Sequence, residues 1–367
     1  MATKDKIDMN RRRSVLKLLA TGLVTVPSDA IARLPKSQEK YCDLSGSMSG
    51  ITFPDNNVQS LSALDKEQSE FTHLFAEASK LERLNTLVVL EAGGQLVAES
   101  FTEKDIRTGV NIKSVSKSVV SALTGVALQR GVFDSVSQSI GELAPSLIPK
   151  AADEKVKSIT IQNLLTMQTG LQRTSGRHYG AWVNSDNWVK YALSRRFVNE
   201  PGRRMLYSTG DWHVLGAILS ELTGKSLLSL SREWLGGPLG IHFAPWTRDP
   251  QGRYMGGNEM SLSAIDLAKF GQLYLDAGGD VLPPDWVVES LIPRTRSPWS
   301  GDAYGYGWFI RDRSTPAYFY GRGYGGQFVF VLPSSKRVVV MISDWTRAAG
   351  GGTYTETLHD LVVKHVL

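Results

Sequence analysis

Ser114-Val115-Ser116-Lys117 sets a hydroxyl and an amine three residues apart, the separation that puts two side chains on one face of a helix. An apolar stretch follows (Val119, Val120, Leu123, Val126, Ala127, Leu128) and Gly131 stops it, so the pair opens a helix expected over Ser114 to Arg130. A serine there lies in positive potential beside unpaired backbone N–H groups, and partial burial in the same field loosens the proton of the lysine. Serine needs such help, because its hydroxyl is a poor nucleophile at neutral pH without a base in reach. The spacing alone decides little: with 37 serines and 18 lysines in 367 residues, chance yields about two S-x-x-K matches. Three occur, at Ser14, Ser37 and Ser114, and only the last begins an apolar helix. On these residues alone, a serine near a helix start with a solvated lysine one turn on is the alternative.

Other apparent signals fail on context. Gly321, Gly323 and Gly326 spell G-x-G-x-x-G, but an apolar strand follows where a dinucleotide site needs a helix. Gly224-Lys225-Ser226 resembles the end of a phosphate loop, yet Leu219 stands where its first glycine belongs. There is no G-x-S-x-G elbow and no H-E-x-x-H, and the six histidines are scattered. The single cysteine, Cys42, closes no internal disulfide and excludes cysteine-built zinc and iron–sulfur sites.

The elements that position Ser114 lie at both ends of the chain. Thr86 to Glu91 and Gln95 to Phe101, around Ala92-Gly93-Gly94, read as a β-hairpin, as do Gln327 to Leu332 and Arg337 to Ser343 around Pro333 to Lys336. Two distant hairpins with apolar faces to bury are most simply joined in one antiparallel sheet. Helices are expected over Glu70 to Leu84, Ile161 to Met167, Asp186 to Leu193, Trp212 to Leu222, Ser263 to Leu275 and Thr353 to Val366. The expected fold is α/β (α+β): an antiparallel sheet from both termini flanked by helices (82–137 and 255–367), with a mostly helical lobe inserted (138–254) and a cleft between them.

Composition agrees with a globular core, 42% hydrophobic and 21% charged. The net charge of +5 is concentrated in residues 1–32, six basic against three acidic; the rest holds 35 basic against 33 acidic, which calls for no nucleic acid. Arg12-Arg13-Ser14-Val15-Leu16-Lys17, the apolar run Leu18 to Val26 and Ala30-Ile31-Ala32 match a twin-arginine leader. The run is too short for a stable membrane anchor, so a periplasmic or secreted protein is expected. A basic N-terminus before a short helix is the alternative. Residues 33–81 form an extension and the first helix.

Two further motifs follow in order: Tyr207-Ser208-Thr209 before the helix at Trp212, and Gly321-Arg322-Gly323-Tyr324-Gly325-Gly326-Gln327 leading into a strand. With Ser114-x-x-Lys117, these resemble the three motifs of the serine β-lactamase and penicillin-binding-protein superfamily from roughly Leu81 to the C-terminus. Asn163 to Leu171, Glu200-Pro201-Gly202 and Met260 to Gly271 support the likeness. It is most similar to the class C-like branch that holds family VIII carboxylesterases and the 6-aminohexanoate-dimer hydrolase.

The resemblance implies a covalent acyl-enzyme on Ser114, with Lys117 as proton acceptor and Tyr207 as proton shuttle to the leaving group. It implies an oxyanion hole from the backbone N–H groups of Ser114 and Tyr324, a small ester or amide substrate, and no metal or organic cofactor. Gly323 then lets substrate approach the backbone. Arg322 is a candidate for pairing a substrate carboxylate, with an exposed arginine bridging to the surface as its alternative, and Tyr179, Trp182 and Trp188 are candidates for lining the acyl pocket, with core or lid packing the reading ahead of it. The sequence departs from β-lactamases at Thr209, where asparagine is usual, and at Gly321-Arg322, where lysine (or histidine) and threonine (or serine) help hold the β-lactam carboxylate. An ester or amide hydrolase is therefore expected ahead of a β-lactamase or D-amino-acid-specific peptidase. A penicillin-binding or sensor module that acylates without turnover is the reading from another class.

Overall fold

In the computed structural model of the chain, which describes residues 58–60, 70–92, 94–347 and 352–367, a nine-stranded sheet draws its strands from both ends of the sequence. The N-terminal side gives Val58–Ser60 (β1), Leu84–Glu91 (β2) and Leu96–Ser100 (β3). Val110–Asn111 (β4) and Ser261–Leu262 (β5) form a separate two-stranded ribbon. The C-terminal side gives Thr295–Arg296 (β6), Ala303–Tyr304 (β7), Phe309–Arg311 (β8), Tyr318–Gly323 (β9), Gln327–Leu332 (β10) and Arg337–Ser343 (β11). The order is β1-β3-β2-β11-β10-β9-β8-β7-β6. β1 runs parallel to β3 and every other neighbouring pair is antiparallel.

Both expected hairpins are present, and β2 pairs with β11 (Val89 opposite Val339), which joins the two ends of the chain within one sheet. β10 is buried along its whole length, which requires cover on both faces. Helix Ala264–Leu275 lies on one, where a Cβ on Gly271 would meet Val338 at 2.5 Å, so glycine there sets the close approach. On the other face His359 of helix Thr353–His365 packs against Phe328 and Phe330. The N-terminal helix is shorter than its pattern suggests, Thr72–Ala78, because Leu84 is already committed to β2 opposite Ser343.

Between the two halves of the sheet the chain is largely helical. Helix α1, Ser116–Gln129, is buried from Ser116 through Ala127, and its small polar residues make that possible: Ser118 and Ser121 donate to the carbonyls of Gly307 and Tyr306, both at 2.7 Å. Helix α2, Thr209–Thr223, packs beside it. Among the described residues no helix is long and apolar enough to cross a membrane. The twin-arginine segment lies outside the described residues.

Candidate active site

Ser114 sits in a 3₁₀ turn, Lys113–Val115, that leads into α1. The residue before it is strained, since Lys113 has φ +50° without being glycine, a conformation costing about 1 kcal/mol or more. Its surroundings hold it there. The Lys113 N–H donates to Asn111 Oδ1 at 2.9 Å, its amine meets Glu259 at 3.1 Å, and that amine lies 3.9 Å from the Trp345 ring centroid.

One turn on, the Lys117 amine reaches Ser114 Oγ at 3.0 Å, Thr209 Oγ1 at 3.3 Å and the Gly257 carbonyl at 2.7 Å. A charged ammonium donates to all three. A neutral amine keeps two of these bonds and turns its lone pair toward one acceptor, and only the two hydroxyls can return a proton. The side chain is 2% exposed, and burial pulls its pKa down to about 7, with the nearby Asp211 charge opposing. Tyr207 completes the cluster: its ring lies 5.1 Å from the lysine amine, and Ser114 is near enough to its phenol to favour loss of the phenol proton. Burial raises the phenol pKa, while Ser114 and the Arg322 charge pull it back.

β9 forms the opposite wall. A Cβ on Gly323 would lie 2.4 Å from the Ile112 carbonyl and 3.0 Å from Lys113 Cβ, and one on Gly321 would lie 3.0 Å from Ser118 Oγ. Only glycines let this strand lie so near the serine turn, and Tyr324 is the next residue. Between them Arg322 points the other way, donating to Thr355 of the C-terminal helix at 3.2 Å. This contact with the C-terminal helix fits a bridging arginine, while its charge still reaches Tyr207.

Of the two readings of the tryptophans, pocket lining and core packing, the structure shows core packing. Trp182 is fully buried and Trp188 nearly so. Their indole N–H groups donate to the carbonyls of Trp188 and Val183, both at 3.0 Å, and both rings pack on His213. They are core. Tyr179 lies nearer the site, accepting from Asn258 at 2.9 Å, with its pKa raised to about 12 by burial and by the Glu259 charge.

Sequence reasoning missed a strap, residues 256–261, that ties the cluster together. The Gly256 N–H donates to His213 Nδ1 at 3.3 Å, the Gly257 carbonyl takes Lys117, and Asn258 holds Tyr179. Glu259, itself at φ +66°, bonds Asn111 and Lys113. Met260 N–H donates to Ser116 Oγ at 3.2 Å, and Ser261 pairs with Asn111. It also missed Asp211, 5% exposed in the first turn of α2. Burial drives this carboxyl up to about 7, against hydrogen bonds from Ser208 and Thr169 and the Lys117 charge. The repeated glycines at 256 and 257 and the one acid in an otherwise neutral helix start were the available signals.

The beta-lactamase family model matches residues 81–364. The chain belongs to the beta-lactamase family. Members of that family are serine hydrolases, and this chain is a hydrolase of the same fold. Solved structures agree on the fold. A putative 6-aminohexanoate-dimer hydrolase from Bacillus anthracis superposes with TM-score 0.64 at 18% identity, covering 80% of this chain and 81% of that one. EstCE1, a hydrolase with promiscuous acyltransferase activity, gives 0.66 at 18%, covering 80% and 97%. A D-stereospecific amidohydrolase from Streptomyces sp. gives 0.61 at 15%, covering 78% and 96%. No curated protein sequence matches.

Proposed function

We propose that the protein cleaves a small ester or amide through an acyl-enzyme on Ser114. The observation that carries this is the convergence of two side chains on one hydroxyl: the Lys117 amine lies 3.0 Å from Ser114 Oγ, and Tyr207, its ring 5.1 Å from that amine, sits close enough for Ser114 to act on its phenol. Neutral Lys117 takes the hydroxyl proton as Ser114 Oγ bonds to the substrate carbonyl carbon. The negative oxygen is met by the backbone N–H groups of Ser114 and Tyr324. Tyr207 then gives its proton to the departing oxygen or nitrogen, the scissile bond breaks, and Lys117 restores the proton to the phenol. Water attacks the acyl ester by the same route in reverse, releasing the acid and returning the proton to Ser114.

Gly321 stands where the usual lysine would be and Arg322 donates to Thr355, so a β-lactam carboxylate lacks its usual cation, which favours the ester or amide reading. Steady release of p-nitrophenol from p-nitrophenyl acetate and butyrate tests the proposal. Turnover abolished by Ser114→Ala supports it; a single stoichiometric burst identifies a non-turning-over acyl trap, and turnover that survives the substitution overturns it. Export of the protein by the twin-arginine pathway is part of the same proposal. Replacing Arg12 and Arg13 by lysine is expected to leave unprocessed precursor in the cytoplasm, and normal secretion would contradict the leader.

A further inference from the structure

Seven of the nine tryptophans are buried, from 0% exposed for Trp182, Trp212 and Trp308 to 9% for Trp246. The exceptions are Trp299, 59% exposed, and Trp345, 42%; with Tyr324 at 56% they are the exposed large aromatics among the described residues. Singly scattered exposed rings need no explanation. These three are not scattered.

Trp299 packs edge-on against Tyr207, ring centroids 5.5 Å apart at 66°, with the Arg173 guanidinium 5.8 Å from its ring centroid. Trp345 carries the Lys113 amine on its ring, and Lys113 precedes Ser114. Tyr324 lies between Gly323, pressed on the Ile112 carbonyl, and Gly325, where a Cβ would meet Trp345 Cα at 2.5 Å. Each exposed ring therefore contacts, or directly adjoins, a residue of the Ser114 turn, its strand wall or Tyr207. Trp299 and Trp345 are each held by neighbours yet keep much of their surface in water, as a platform for a flat apolar group requires.

We propose that this rim selects the substrate: an ester or amide with an aryl or similarly flat, large apolar leaving group, seated on Trp299, with the acyl group running toward Tyr324 and Trp345. The inference rests on the acyl-enzyme reading, in which Tyr207 protonates the leaving atom; Trp299, packed on Tyr207, is then the ring nearest that atom.

The test varies the leaving alcohol while keeping its intrinsic reactivity close: ethyl, benzyl and 2-naphthylmethyl acetate. For the unmodified enzyme kcat/KM is expected to rise along the series, and Trp299→Ala is expected to lower the naphthylmethyl-to-ethyl ratio about tenfold, with Trp299→Phe keeping most of it. A ratio that does not rise, or that Trp299→Ala leaves unchanged while all turnover falls together, overturns the proposal and makes Trp299 a merely structural support for Tyr207. The acyl arm compares methyl 2-naphthylacetate with methyl acetate, where Tyr324→Ala and Trp345→Ala are expected to lower the ratio about threefold each; unchanged ratios in both overturn that part. A binding readout separates this from the chemistry. Tryptophan fluorescence of the Ser114→Ala protein is expected to quench saturably with 2-naphthylmethyl acetate, and to lose most of that response in Ser114→Ala/Trp299→Ala. Quenching with no Ser114-dependent turnover keeps the rim and rejects the acyl-enzyme. Turnover without quenching does the reverse.

Discussion

The floor of the site and its mouth are built on opposite principles. Around Lys117, on α1 and α2, the ionisable groups are buried and paired: the amine has three partners, Asp211 has Ser208 and Thr169, and His213 has Asp249 at 3.1 Å and Gly256. Around Trp299, Tyr324 and Trp345, on loops and a strand end, large apolar surface stands in water. Burial at the floor changes proton affinities, which on the proposed acyl-enzyme reading sets rate. Exposure at the mouth leaves surface for a ligand to cover, which on the rim proposal sets choice. Substitutions at the floor should therefore change kcat broadly, and those at the mouth should change ratios between substrates.

The largest effects belong to the floor. Lys117→Ala and Tyr207→Phe are expected to lower kcat at least ~10²-fold, the usual scale for losing a general base or acid, read as steady-state hydrolysis of p-nitrophenyl acetate. Near-normal turnover in either variant would erase the distinction between floor and mouth. Gly323→Ala comes next. With the Ile112 carbonyl 2.4 Å from the added carbon, β9 must move from the serine turn, and kcat should fall about tenfold or more as the oxyanion donor shifts.

A subtler effect sharpens the comparison. The Asp211 charge raises the proton affinity of Lys117, so Asp211→Asn should move the acid limb of the kcat/KM profile, expected near 7 in the unmodified enzyme, to lower pH. The rim substitutions should leave that limb in place. An unmoved limb in Asp211→Asn would show the carboxyl to be structural only.

The smallest effect is thermodynamic. Lys117 has its pKa pulled from 10.5 to about 7, so its contribution to stability is present above 10.5 and lost as pH falls through 7. Asp211 has its carboxyl raised from 3.8 to about 7, so its contribution is present below 3.8 and lost as pH rises through 7. Together they lower stability most near neutrality. Melting temperature against pH should be flatter by several degrees around pH 7 in Lys117→Met/Asp211→Asn than in the unmodified protein; parallel curves would deny that the floor carries this cost.

What was legible in the sequence follows the same division. Ser114, Lys117 and Tyr207 could be read because each opens or precedes an apolar helix, and the hairpins because Gln327 to Leu332 and Arg337 to Ser343 are continuous apolar runs with a clear turn. β6 through β9 were not read: they are two to six residues long and mix glycine with aromatics, so no period shows, and it is pairing that makes them strands. Trp182 and Trp188 were candidates for the pocket because an aromatic in a loop-rich stretch has no local sign of burial, while Trp299 and Trp345 carried no sign of exposure. Thr209 stood out only as a departure from a pattern. In the fold it is a partner of Lys117, a role that depends on two helices meeting.

The most direct test of the central claim is the intact mass of the protein after reaction with a fluorophosphonate, followed by peptide mapping. The account predicts one adduct per chain, on Ser114, lost in Ser114→Ala and slowed in Lys117→Ala. Full labelling at another residue, or none at all in folded protein, would contradict it.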